Sequence, residues 1–135
     1  MVAWERRRIL LAAAATMVAH AGRAQSPRKA ARIGIVFNTL PLAAVGGDKP
    51  REPLMREFLL GLRDDGWVEG RNIVIERRSA EGKLDRLESI VRELSQLPVD
   101  VIVVSGNAAT LAAKKATSTV PIVSSGMANP VETGI

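Results

Sequence analysis

The sequence predicts an α/β protein built on an open parallel sheet with helices on both faces. Three observations carry this. Short apolar runs alternate with helical patterns in the order β-α-β-α-β-α-β. The runs are nearly continuous in Ile and Val, as strands buried on both faces of a parallel sheet are. The segments between them place apolar residues at helical spacing, on one face each. Crossovers in such a sheet are right-handed.

Taken in chain order, residues 1–24 read as a signal peptide. Arg6, Arg7 and Arg8 form a basic start, and Ile9 to Ala19 form an apolar stretch too short to span a bilayer. Gly22-Arg23-Ala24 offers small residues for cleavage after Ala24, with Ala19-His20-Ala21 a second candidate. Arg6-Arg7 also resembles a loose twin-arginine signal, so the export route, Sec or Tat, stays open. Residues 25–31 read as a polar linker, and 32–135 as one domain. Arg32 to Phe37 is the first strand. Residues 39–53 hold Pro41, Gly46, Gly47, Pro50 and Pro53 and read as a long loop. Loops of that length are uncommon unless functional or mobile.

Leu54 to Asp65 is helical, with Met55, Phe58, Leu59 and Leu62 on one face and Gly66 as a left-handed C-terminal cap. Asn72 to Glu76 is the second strand. Leu84, Leu87, Val91 and Leu94 mark the second helix, with Pro98 beyond it. Val99 to Val104 is the third strand. Asn107 to Ala116 is a third helix, small enough in its side chains to lie close to the sheet. Thr119 to Val123 is the fourth strand, Ser124 to Pro130 a loop, and Val131 the start of a further helix. Four strands and an unfinished helix make a limited core, so the chain reads as part of a longer protein.

Composition narrows the function. The chain is 47% apolar and 24% charged, values of a globular domain, and it has no Cys, so it holds neither disulfides nor a thiolate metal site. The formal charge of +5 sits largely in the leader: residues 25–135 keep 15 basic and 13 acidic side chains, a net of about +2. The basic residues are interleaved with acidic ones and lack aromatic platforms, which argues against a nucleic-acid partner. No P-loop and no GxGxxG follow a strand. The single His, His20, lies in the leader, so no His-based triad or metal site exists in the domain. No catalytic residue and no cofactor are assigned.

The remaining chemistry is at the carboxyl edge of the sheet, where open α/β sheets bind ligands. Asn38-Thr39, Ser79-Ala80, Ser105-Gly106-Asn107 and Ser124-Ser125-Gly126 end the four strands. All are small, neutral and rich in hydrogen-bonding groups. Every strand-to-helix turn has a structural use for such residues; four together favour a site for a small polar solute. Ser105 or Asn107 can cap the third helix, whose free N–H groups attract a carboxylate.

The run from Phe58 through Gly66-Trp67, Glu69-Gly70 and Asn72 to Glu76 resembles the type I ABC-transporter periplasmic substrate-binding proteins, the family with tryptophan/tyrosine-uptake-like members. Arg77 to Gly82, Leu84 to Leu87, Asp100 to Val104, Thr119 to Val123 and Asn129 to Gly134 continue the likeness. Physically this motif reads as structural: Gly66 ends a helix, Trp67 covers the end of the core and Gly70 permits a tight entry to the next strand. The resemblance implies a two-lobed fold that closes on its ligand by hinge motion, with this chain supplying the N-terminal lobe. It implies a periplasmic solute-binding component of an ABC importer, handing a small polar solute, an amino acid by the commoner pattern, to a permease in the inner membrane. By position the ligand-facing residues are Asn38, Thr39, Ser105, Gly106, Asn107, Met127, Ala128 and Asn129. The alternative is a sensor of the same fold feeding a signalling partner.

Overall fold

A computed structural model describes residues 29–132 and residue 134. The signal peptide expected over residues 1–24 lies outside the described residues, as do residues 25–28 of the linker. The elements are β1 (Ala31–Phe37), α1 (Leu42–Val45), α2 (Pro53–Asp64), β2 (Ile73–Ser79), α3 (Leu87–Ser95), β3 (Val101–Ser105), α4 (Gly106–Ala116) and β4 (Ile122–Ser125). They form one parallel sheet in the order β2-β1-β3-β4.

Alternation along each strand divides the core in two. Val36, Ile102 and Val104 face one way and pack with Leu87, Ile90, Val91 and Leu94 of α3 and with Ala109 and Ala113 of α4. Ile35, Val103 and Ile75 face the other way and meet Met55, Phe58, Leu59 and Leu62 of α2, with Val45 of α1. Leu87, Leu94 and Ile102 are fully buried, and each such side chain contributes about 1.5–3 kcal/mol. Gly34 lets α3 approach the sheet: a Cβ there would stand 3.2 Å from Leu94 Cδ1. The alanines of α4 do the same on the β3 side.

Several boundaries differ from the sequence reading, each for a physical reason. The expected loop over 39–53 contains the one-turn helix α1. Its Pro41 and Gly46 stand at the two caps rather than inside, and Val45 anchors it in the core. Helix α2 starts at Pro53, because proline is tolerated at the first helical position and the Glu52 carboxylate accepts from the Met55 N–H at 2.6 Å. Strand β2 runs on to Ser79, past Glu76, Arg77 and Arg78. An edge strand accommodates these charges through ion pairs: Glu76 with Arg32 at 2.7 Å and Arg78 at 3.5 Å, and Arg77 with Glu69 at 2.6 Å.

Leu84 belongs to a 3₁₀ turn (Leu84–Arg86) and is half exposed, so it lies off the apolar face assigned to it. Strand β3 begins at Val101, after Asp100 has accepted the Arg32 N–H at 2.7 Å. Strand β4 begins at Ile122. Residues 117–120 are instead gathered by Thr117 Oγ1, which accepts from the N–H groups of Thr119 and Val120. Residues 130–132 form a turn, not the expected start of a helix. Gly66 does end α2 in a left-handed conformation, φ +85°, with the Trp67 N–H donating to Leu62 O at 2.7 Å. Trp67, expected to cover the core, is 42% exposed: the chain leaves the helix along its flank. No helix among the described residues is long and apolar enough to cross a membrane.

Candidate functional site

The carboxyl ends of the four strands lie along one edge of the sheet, and hydrogen bonds draw their loops together. The loop after β1 is tied to the end of β2: Ala80 N–H donates to Phe37 O at 2.9 Å, Gly82 N–H to Asn38 O at 2.8 Å, and Ser79 Oγ to Leu40 O at 2.6 Å. Ser79 and Ala80 are thereby committed to structure. On the other side, Asn38 Nδ2 donates to Ser105 O at 3.0 Å, joining the ends of β1 and β3. The Asn38 Oδ1 atom is buried with no hydrogen-bond partner among the described residues. A buried acceptor left this way is costly unless something donates to it.

Asn38, Thr39 and Ser105 line the mouth of a cavity of about 530 Å³, together with Ser125. Its walls are apolar: Phe37, Leu40 and Val103 from the sheet side, Leu54, Met55 and Phe58 from α2, and Val123 from β4. Leu54 is 75% and Val123 53% exposed, so the cavity is open to solvent. An apolar chamber with a few polar groups at one rim is the usual build of a small-molecule site. Among the described residues the only ionisable side chain on its lining is Glu52, whose carboxylate already caps α2.

Gly106 turns the chain from β3 into α4 at φ +78°, with Asn38 Nδ2 close beside it. The cap expected from Ser105 or Asn107 is absent. Ser105 stands at the N-cap position, extended, and makes no side-chain bond to the helix. The first N–H groups of α4 are therefore left without a side-chain cap. Asn107 instead spends its amide on the loop after β4: its Nδ2 donates to Ala128 O at 2.8 Å and its Oδ1 accepts the Ala128 N–H at 3.0 Å. That reciprocal pair, at a separation of 21 residues, outcompetes the local cap. Thr110, buried in α4, donates to Gly106 O at 2.8 Å and shares a short hydrogen bond with Ser124 Oγ, which fixes α4 to β4.

The eight expected residues thus fall into two groups. Asn38, Thr39 and Ser105 meet at the cavity rim, with Gly106 beside Asn38 just outside the lining. Asn107, in the first turn of α4, is bonded to the neighbouring loop of Met127, Ala128 and Asn129; all four lie outside the cavity lining, with Met127 half-buried and Asn129 at φ +44°. Sequence reasoning missed the apolar walls. Leu54, four residues before Phe58, was the available signal, since it extends the apolar surface beyond the core-facing stripe of α2. Among the described residues no group of three or more His, Asp or Glu side chains is placed to hold a metal.

The family of ABC transporter substrate binding proteins matches residues 50–135. A tyrosine-binding protein of Clostridioides difficile (strain R20291) is 30% identical over 78 residues, an alignment covering 58% of this chain and 23% of that protein. The ligand-free, open structure of a substrate binding protein with adhesive properties from Clostridium difficile superposes with a TM-score of 0.63. It is 24% identical over 77% of this chain and 33% of its own. The ABC domain in complex with L-Trp from Streptococcus pneumonia gives a TM-score of 0.57 at 16% identity, over 78% of this chain and 33% of that one, a likeness of fold. The chain spans about a quarter to a third of the length of these relatives.

Proposed function

The chain belongs to the ABC transporter substrate-binding protein family, and we propose that its carboxyl sheet edge forms one half of a clamp for an amino acid. The observation that carries the reading is the rim where Asn38, Thr39 and Ser105 face the mouth of an apolar cavity of about 530 Å³. An amino acid with a bulky apolar side chain matches these parts. The cavity walls take the side chain. The unpartnered Asn38 Oδ1 accepts from the ammonium group, and the uncapped N–H groups of α4, with the positive end of the helix dipole, take the carboxylate. Gly106 keeps that approach free of a side chain. Asn107, Met127, Ala128 and Asn129 supply the adjoining rim, with Asn107 holding its loop in place.

The role is binding and delivery, without turnover. The solute is handed to an ABC permease in the inner membrane. The chain works in the periplasm, exported by the basic, Ala-rich leader of residues 1–24. The curated tyrosine-binding relative supports an amino acid as the ligand class.

The test is thermal unfolding against a panel of L-amino acids. At ten times its dissociation constant a ligand stabilises by about 1.4 kcal/mol, a rise in Tm of about 5 °C for a domain of this size. An aromatic or large aliphatic amino acid should give that rise, and Asn38→Ala should remove most of it, measured against the variant's own unliganded Tm because its bond to Ser105 O is lost as well. A panel with no shift at all rejects the amino-acid reading.

A further inference from the structure

A second concavity, of about 840 Å³, runs along the flank of α2 between residues 48–51 and Trp67, away from the strand ends. Its chemistry differs from that of the clamp edge. Lys49, Arg51, Arg56 and Arg63 line it against two carboxylates, Asp48 and Glu69. This net +2 equals the whole formal excess of residues 25–135, so the rest of that surface balances to neutrality. Glu69 is already spent on Arg77, through two bonds of 2.6 and 2.7 Å. Arg56 reaches only a carbonyl, Arg51 O at 3.2 Å. None of the four cations takes part in the ion pairs formed among the described residues. Arg56 and Arg63 lie seven residues apart on one helix, about 10.5 Å along its axis. Between them the floor is apolar, with Leu60 44% and Trp67 42% exposed.

We propose that this groove docks an acidic segment of a partner protein, one that carries carboxylates about 10 Å apart with an apolar side chain between them. Charge complementarity selects the sign of the partner, since unpaired like charges held this close gain most from opposite ones. The concave shape selects a chain segment over a bilayer. A segment laid along the concavity meets Arg56, Arg63 and the apolar floor at Leu60 and Trp67 together. Trp67 and the arginines are the residue types that carry binding energy at interfaces. The proposal is independent of the clamp, which has its own ligand and its own lining.

Fluorescence anisotropy of the full chain with a fluorescein-labelled peptide, Glu-Glu-Leu repeated four times, tests it. The peptide should bind, and its Gln-Gln-Leu counterpart should not. Raising sodium chloride from about 0.05 M to about 0.5 M should weaken binding several-fold. Arg56→Glu with Arg63→Glu should weaken it about tenfold or more, as removal of two complementary pairs predicts. Reversal of Lys114 and Lys115 on α4 should leave it unchanged. Should the double variant fail to fold by circular dichroism, Arg63→Gln, at an exposed position, should still cost about threefold. Equal binding by the groove variants overturns the proposal. So does equal loss in the Lys114/Lys115 variant, which would reduce the effect to bulk charge. Binding to phosphatidylglycerol vesicles that the groove variants abolish, with no peptide binding, would give the surface to a membrane and equally overturn it.

Discussion

Gly106 joins a strand to a helix at φ +78°, a conformation that L side chains adopt at a cost of about 1–2 kcal/mol. Space is not the obstacle, since the nearest atom to a Cβ there would be Asn38 Nδ2 at 3.7 Å. Gly106→Ala should therefore destabilise the fold by about 1–2 kcal/mol, and Gly106→Asn by less, because Asn tolerates the left-handed region. Urea denaturation of the three proteins checks the order. Single residues were legible in the sequence where their role is local. Gly66 followed directly from its place after an apolar-periodic helix, and it caps α2 as expected. Asn107 did not. Its residue type and position indicated a helix cap, but its partner, Ala128, is a loop residue that only the folded sheet brings near. Trp67 was expected to cover the end of the core, and the path of the chain after Gly66 leaves it 42% exposed on the flank.

At the scale of elements, the strands and long helices were readable from apolar periodicity, and their ends were not. Pro121 has no N–H to give the ladder, so β4 begins at Ile122, although the Pro121 carbonyl still accepts the Ile102 N–H at 2.9 Å. The helix α1 is a single turn, too short for any period to reveal, and exists because Val45 finds a buried place. The packing of α3 on the sheet depends on Gly34, which no periodic pattern marks. Gly34→Val should force Leu94 and Ile102 aside, since even a Cβ meets them at 3.2 and 3.4 Å. Overpacking of this kind costs about 1–3 kcal/mol. A drop in thermal stability with an unaltered amino-acid response would place the effect in the helix–sheet contact; unchanged stability would show that α3 yields freely.

For the molecule as a whole, the parallel α/β architecture was evident from the order of elements, whereas the two concavities were not. Each is lined by residues scattered over the chain, such as Phe37, Phe58 and Val123 in one and Lys49, Arg63 and Trp67 in the other. Only the topology gathers them. The two borders of the sheet also differ. The β2 border carries Glu76, Arg77 and Arg78 in ion pairs, while the β4 border, Ile122 to Ser125, bears no charge at all. Charge is what deters a foreign strand from joining an open ladder. At high protein concentration, self-association should run through β4, and Val123→Lys should suppress it in sedimentation velocity while Arg78→Ala leaves it nearly as before. The ribbon is in effect zipped shut on one side and unfastened on the other, so any additional strand, whatever its origin, has a single seam at which to be stitched in.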